Sequence, residues 1–139
     1  MEDVVPFVSA SAERTVFELI DQVSTKDLGM SLKVLEAMVK QGKEDSEIFY
    51  MLVWHFRRLI LFKALEREGR DDREIVGYLN IKPFVVEVLK RQSRNYSFAE
   101  LKRIHAELLD YDLASKTSDT SDRHHLALLL YDICRCPAA

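Results

Sequence analysis

The sequence contains little of what turn-rich or disulfide-linked folds require. Its 139 residues include only 4 Gly, 3 Pro and 2 Cys. This scarcity of Gly and Pro argues against an all-β fold, because tight turns between strands depend on those residues. Two cysteines are too few for a disulfide framework, so we expect the chain to reside in a reducing cytoplasm.

Phosphate-binding loops and membrane signals are missing as well. Neither G-x-x-x-x-G-K-[ST] nor G-x-G-x-x-G occurs in the sequence. Apolar runs such as residues 126–131 are far shorter than the about 20 residues that span a bilayer. The chain opens with Met1, Glu2 and Asp3 rather than a basic-then-apolar leader. We therefore expect no membrane partner and no nucleotide cofactor.

The composition is that of a globular chain that can bury a core. Apolar residues make up 47% and charged residues 31%, and a chain of this length normally forms one domain. Residues 1–12 lack a helical pattern and are predicted to be a tail. Residues 13–139 carry apolar residues at helical spacing, with no sustained alternation typical of strands. The sequence therefore predicts an all-α bundle of about seven helices.

Start and stop signals divide this domain into helices. Asp45 or Ser46 is predicted to cap a long aromatic-rich helix that ends near Gly69 and forms the centre of the core. Pro83 is typical of a first helical position, and Ser97 with Glu100 has the spacing of a capping box. The long helix after this box is predicted to reach about Lys116, and its inward apolar residues are predicted to be Phe98, Leu101, Ile104, Leu108 and Leu113. Other helices are predicted at 13–23, 26–40, 71–79 and 126–133.

Some large apolar residues lie off the predicted inward faces. For the helix that begins at Pro83, the inward residues are predicted to be Phe84, Val85, Val88 and Leu89, which leaves Val86 outside. We expect the off-face residues to be exposed and to contact other subunits, because exposed apolar patches usually mark interaction sites. The off-face residues are Leu61, Phe62, Tyr78, Val86 and Tyr111, and the proposed interface set is Phe62, Tyr78, Val86 and Tyr111.

Positive charge is concentrated between His55 and His105. That stretch holds 12 Lys/Arg against 7 Asp/Glu, a net charge of +5, whereas the remaining residues carry −8. One interpretation is a basic face for nucleic acid, formed by Arg57, Arg58, Lys90, Arg91 and Arg94. The alternative, which we favour, is solvated helix faces with intrahelical ion pairs, since the sequence pI of about 5.8 is not that of a dedicated nucleic-acid binder.

Residues 71–94 have the outline of a helix-turn-helix. Recognition helices read bases with residues near their N-terminus. Here that end is apolar, from Pro83 to Val86, which suits a core or a protein contact. This apolar end weakens the interpretation of the outline as a DNA-reading motif but does not eliminate it.

No catalytic or metal-binding motif is evident. His124-His125 and Cys134-x-Cys136 lie too far apart on one helix to share an ion, so we predict no metal site and a buried, apolar Cys134. His55 and His105 lie on apolar stripes and are interpreted as core or boundary residues. A small helical enzyme using one of these histidines remains an alternative, and it would require a polar pocket with a perturbed titration.

Several motifs, in order, resemble the C-terminal domain of the bacterial DNA polymerase III delta subunit. These are TVFELID at 15–21, SLKVLE at 31–36, LVWHFRRL at 52–59, IKPFVV at 81–86, and SFAEL at 97–101 followed by YDLASKT at 111–117. The resemblance covers about residues 13–136. Thr117-Ser118 departs from the Thr-Gly that often follows the lysine in this family.

The resemblance implies an all-helical collar domain without catalysis of its own. In that family, collar domains of delta, delta-prime and three ATPase (gamma/tau) subunits pack into the ring of the clamp loader, which loads the sliding clamp in DNA replication. DNA would then be met only through the assembled complex, with no small-molecule substrate. Because the AAA+-like domain that grips the clamp is absent, we expect this chain to be an expressed fragment or a truncated reading frame.

Overall fold

Seven helices follow one another in the residues described by the computed structural model, which are 10–117 and 123–134. They are α1 (Ala10–Ser24), α2 (Leu28–Lys40), α3 (Asp45–Arg67), α4 (Asp72–Leu79), α5 (Pro83–Ser93), α6 (Phe98–Thr117) and α7 (Arg123–Cys134). No strand occurs within these two ranges. The predicted all-α bundle of about seven helices is confirmed. The first helix begins at Ala10, inside the predicted tail.

Side-chain caps fix most helix starts. The predicted box at α6 is confirmed, since the Glu100 amide donates to Ser97 Oγ (3.0 Å) and the Ser97 amide donates to Glu100 Oε1 (2.9 Å). Pro83 occupies the first turn of α5, as predicted. The cap of α3 was wrongly predicted, because Glu44 precedes the helix and forms a box with Glu47.

Residues in the left-handed conformation lie in four of the turns between helices, and one of them is Lys26 (φ of 63°) between α1 and α2. Gly42 and Gly69 adopt φ of 93° and 85° after α2 and α3, a conformation that glycine reaches without a steric cost. Asn80 does the same after α4 with φ of 54°. Across the Gly69 and Asn80 turns the consecutive helices pack against each other, α3 against α4 and α4 against α5.

Helix α3 is the centre of the bundle, as predicted. It packs against α1, α4, α5, α6 and α7. Because neighbours cover it on several sides, its buried residues form a wide arc rather than a narrow stripe. They are Ile48, Phe49, Met51, Leu52, His55, Phe56, Leu59 and Phe62.

Four predictions about side-chain direction are wrong. Phe62 and Val86 are buried, with exposed fractions of 0% and 1%, so neither can present its ring or methyl groups to another subunit. Phe62 turns inward because α3 is surrounded, and Val86 because α5 packs against α1, α3 and α4 together. Conversely, Phe84 and Leu113 were assigned inward positions but are 49% and 63% exposed.

The side-chain cap of α4 should contribute measurably to the stability of the protein, because this helix has only 8 residues. The Glu74 amide donates a hydrogen bond to Asp71 Oδ1 at 2.9 Å, and the Asp71 amide donates one to Glu74 Oε1 at 3.0 Å. Asp71→Ala should cost about 1 kcal/mol of unfolding free energy. Asp71→Ser keeps an oxygen that can accept the bond and should cost much less. Urea unfolding of both variants checks this, and equal losses would contradict it.

Candidate subunit-interaction surface

Exposed apolar side chains are paired on α6 and α7. Leu109 and Leu113 lie one turn apart on α6, and Leu128 and Tyr131 lie one turn apart on α7. Each of these four side chains is about half exposed or more, between 48% and 63%. The two helices pack against each other. We call these four residues the α6–α7 apolar surface.

The two remaining interface candidates differ in their surroundings. Tyr78 on α4 is 61% exposed, and the Arg70 guanidinium lies over its ring at 5.1 Å from the centroid. Tyr111 on α6 is half-buried, with its ring centroid 4.7 Å from that of Phe49 on α3. Contact of Tyr78 and Tyr111 with another subunit stays a prediction.

The residues of the predicted basic face are divided between α3 and α5. Lys90 pairs with Asp72 at 2.8 Å, and this hydrogen bond raises the lysine pKa. Arg91 pairs with Asp21 at 2.9 Å. On α3, the Arg58 guanidinium lies 5.3 Å from the centroid of Trp54. Arg57 and Arg94 are exposed. The ion pairs of α5 neutralise much of the charge that the sequence concentrates there.

The helix-turn-helix outline takes the form of α4, Asn80 and α5. At the N-terminal end of α5, Val85 and Val86 are buried in the core. Only Phe84 in this turn presents a large side chain to solvent, and its ring also contacts Phe17 edge-on at 6.3 Å. An end that is occupied by core packing cannot enter a DNA groove in the way that recognition helices do.

A network of hydrogen bonds extends from the buried His55 on α3 to the protein surface. His55 Nε2 lies 2.5 Å from Gln92 Oε1. The Gln92 amide nitrogen donates to Phe17 O at 3.2 Å and to Asp21 Oδ1 at 2.8 Å. Arg91 lies at the surface end of this network and donates to both carboxylate oxygens of Asp21, at 3.0 and 2.9 Å. The network connects α1, α3 and α5.

His55 is a core histidine, as the sequence indicates. Its side chain packs against the Phe17 ring at 5.1 Å, and only 2% of the residue is exposed. Burial lowers its pKa from 6.5 to about 4, a shift opposed by the bond to Gln92 and increased by Arg58. A neutral imidazole that is buried and hydrogen-bonded to Gln92 contributes to the packing of the core.

The metal-ligating side chains of the described residues are dispersed. No group of three or more His, Cys, Asp or Glu that could hold an ion occurs among them. Cys134 is buried, as predicted, and burial raises its thiol pKa. The side chains of His124, His125 and Cys136 lie outside the described part. His105 is half-buried on α6. Within the same ranges no helix is both apolar and long enough to cross a bilayer.

Two polar contacts of the structure were not predicted from the sequence. Gln92 is fully buried, yet a glutamine within a Lys/Arg-rich segment gives no sign of burial. Lys26 Nζ forms an ion pair with Glu100 Oε2 at 3.1 Å across 74 residues of sequence. The capping-box spacing of Glu100 indicates only its local role and not this distant partner.

The described residues thus form an all-helical bundle with one buried core and with exposed apolar side chains on α6 and α7. The family model for the DNA polymerase III delta subunit, C-terminal domain, matches residues 13–133. The chain belongs to this family, and the resemblance drawn from its motifs is confirmed.

Individual relatives agree with the family assignment. The chain is 27% identical over 135 residues to DNA polymerase III subunit delta of Bacillus subtilis, covering 97% of this chain and 39% of that protein. It is 29% identical over 109 residues to a probable DNA polymerase III subunit delta of Aquifex aeolicus, covering 78% and 31%. The solved Bacillus subtilis DNA clamp loader delta protein superimposes with a TM-score of 0.84 at 27% identity, over 94% of this chain and 39% of that one. The chain thus spans about two fifths or less of these relatives.

Proposed function

We propose that this domain is a non-catalytic oligomerisation domain of a clamp-loader delta subunit. In this role it joins the ATPase (gamma/tau) subunits and delta-prime in the ring that loads the sliding clamp during DNA replication. The observation that carries the proposal is the match to the delta C-terminal family over residues 13–133. The likeness to a solved clamp loader delta protein over 94% of the chain supports it.

The chemistry of the surface supports the same role. A ring-forming domain needs a stable core that survives without its neighbours and apolar side chains left for contact with them. The core described above meets the first need, and the α6–α7 apolar surface meets the second. Direct binding of nucleic acid is less well supported, because Lys90 and Arg91 are committed to ion pairs with Asp72 and Asp21. We propose that DNA is met only through the assembled complex, in the cytoplasm.

Size-exclusion chromatography with light scattering tests this proposal. The chain would be run alone, and then mixed with the ATPase subunit and delta-prime from the same organism. We expect co-elution in a complex whose mass includes the chain. A folded chain that elutes unchanged beside both partners would refute the oligomerisation role. Steep salt dependence of binding to a DNA duplex in the absence of partners would instead indicate nucleic-acid binding.

A further inference from the structure

We propose that α4 is a cover over α5 that opens on its own while the rest of the bundle stays folded. Opening here means that residues 70–80 lose their helix and leave their neighbours, which uncovers the buried Val86 of α5. This inference goes beyond the proposed function, because it concerns the chain without any partner. Elements that open in this way are those with little buried surface and few contacts to the rest of a fold.

Few side chains hold α4 in the bundle. Ile75 is its one buried residue, whereas each of the other six helices buries at least three of its described residues. Val76 and Leu79 are only partly buried against the core. Helix α4 packs against α3 and α5, which are its two neighbours in sequence. Opening of α4 therefore transfers less apolar surface to water than opening of another helix would.

Polar contacts add little to this attachment. The Lys90–Asp72 ion pair at 2.8 Å joins α5 to α4, and its two side chains are 30% and 52% exposed. Ion pairs in contact with water contribute little to stability. The other polar side-chain contacts of α4 among the described residues stay within residues 70–80. They are the capping box of Asp71 with Glu74 and the contacts of Arg70 with Glu74 and Tyr78.

The sequence of α4 also disfavours a stable helix. Gly77 lies in the interior of its 8 residues, where glycine is less favourable than alanine. No other described part of the chain lies within 4 Å of the position that a Cβ at residue 77 would take, so close packing does not require the glycine. Gly69 and Asn80 adopt left-handed φ of 85° and 54° on either side of the helix. These two reversals of the backbone mark the ends of the segment that opens.

Val86 is the residue that α4 covers on α5. Lys90 Nζ donates to Asp72 Oδ2 of α4, so the side of α5 that carries Lys90 faces α4. Val86 precedes Lys90 by four positions and therefore lies on the same side of α5. Only 1% of Val86 is exposed. Departure of α4 leaves this side of Val86 open to water.

Native-state hydrogen exchange of the 139-residue chain tests the inference, because it measures opening amide by amide. We expect protection factors at residues 76–79 to be about a hundredfold lower than those at residues 55–59 in α3. Exchange in α4 should also respond little to low concentrations of urea, since a local opening exposes little surface. Equal protection factors with equal urea dependence would overturn the inference, because α4 would then open only when the whole domain unfolds.

Two matched isoleucine variants separate local from global opening. Ile75 on α4 and Ile104 on α6 are both fully buried, and replacement by valine removes one methylene from each. Ile75→Val should speed exchange in α4 several-fold, because it weakens the closed state of that helix. Ile104→Val should speed exchange in α3 several-fold and leave exchange in α4 unchanged, because residue 104 lies outside the segment that opens. If Ile104→Val speeds exchange in both helices by the same factor, α4 does not open on its own.

A stabilising variant tests the cover without weakening the fold. Gly77→Ala should slow exchange at residues 76–79 several-fold, because alanine favours the helix and there is space for its methyl group. The thiol of Val86→Cys, in a chain that also carries Cys134→Ala and Cys136→Ala, reports when residue 86 is uncovered. We expect Gly77→Ala to slow labelling of this thiol and exchange in α4 by the same factor. Labelling that Gly77→Ala does not slow would show that α4 does not cover residue 86.

Discussion

Acidification from about pH 7 to about pH 4 should destabilise the wild-type domain by about 3 kcal/mol more than a His55→Gln variant. The reason is the pKa of His55, which is lowered from 6.5 to about 4 in the folded protein. Each unit of pKa difference between folded and unfolded states corresponds to about 1.4 kcal/mol. Most of this loss of stability has occurred once the pH has fallen to about 4, where the folded protein begins to bind the proton.

Burial is the main reason why the folded state resists this proton, and the hydrogen bonds around the ring leave an added proton without an acceptor. The amide nitrogen of Gln92 donates to Phe17 O and Asp21 Oδ1, so its Oε1 atom is the one left to accept from His55 Nε2. The neutral imidazole therefore carries its hydrogen on Nε2. Its Nδ1 atom is buried without a hydrogen-bond partner, and a proton added there would have no acceptor.

The two pKa values determine how the stability of the protein changes with pH. Above pH 6.5 the histidine is neutral in both states and contributes no pH dependence. Between 6.5 and about 4 the unfolded chain binds a proton that the folded chain does not, so stability falls as the pH falls. Below about 4 both states are protonated, and the loss from this residue levels off.

Urea unfolding at a series of pH values measures this effect. Carboxylates also titrate at the acid end, so the informative quantity is the difference between wild type and His55→Gln at each pH. Gln92→Ala is the matched control, because it destabilises the same network but keeps His55, and its slope against pH should stay close to that of wild type. A His55→Gln chain with an undiminished slope would show that other groups cause the acid sensitivity.

The order of helices was predictable because each boundary has a local chemical cause. Pro83 lacks an N–H donor and is therefore disfavoured in the interior of a helix. Ser97 and Glu100 accept hydrogen bonds from two backbone amides at a helix start. The direction of a side chain around a helix has no such local cause where several neighbours surround it. Phe62 and Val86 were misplaced for that reason, since α3 and α5 are each covered on more than one side.

The candidate surface was harder to predict than the fold. Leu109, Leu113, Leu128 and Tyr131 follow the same spacing as core residues, so the sequence alone cannot separate a leucine that faces a neighbouring helix from one that faces solvent. Leu113 was assigned inward on that basis. The burial of Leu101, Ile104 and Leu108, together with the contact of Tyr111 with Phe49, fixes the rotation of α6 and shows which leucines remain outside.

Removal of one partner from the Lys26–Glu100 ion pair should produce a comparably large loss of stability. Glu100 Oε2 lies 3.1 Å from Lys26 Nζ, and the two side chains are 2% and 29% exposed. Lys26→Met retains the apolar stem but leaves a buried carboxylate without its cation. We expect a loss of about 3 kcal/mol, because an uncompensated buried charge is far more costly than a broken surface pair.

The reverse change should cost less. In Glu100→Gln the buried group becomes neutral, an oxygen remains for the Ser97 amide, and the partly exposed Lys26 can turn toward water. We expect a loss of about 1–2 kcal/mol. The double variant should then lose less stability than the sum of the two single changes. When residue 100 is a neutral glutamine, Lys26→Met no longer leaves a buried carboxylate without its cation.

A double-mutant cycle by urea unfolding measures this coupling, and Arg70→Met provides the matched control. Arg70 also contacts carboxylates, Glu68 at 3.4 Å and Glu74 at 3.6 Å, and also lies over a tyrosine ring. Its partners are 60% and 48% exposed, so water replaces the lost cation and stability should change little. Losses of similar size for Lys26→Met and Arg70→Met would contradict the prediction, since the carboxylate of the first pair is buried and those of the second are exposed. A strictly additive cycle would also contradict it, because the cost would then lie in packing rather than in the unpaired charge.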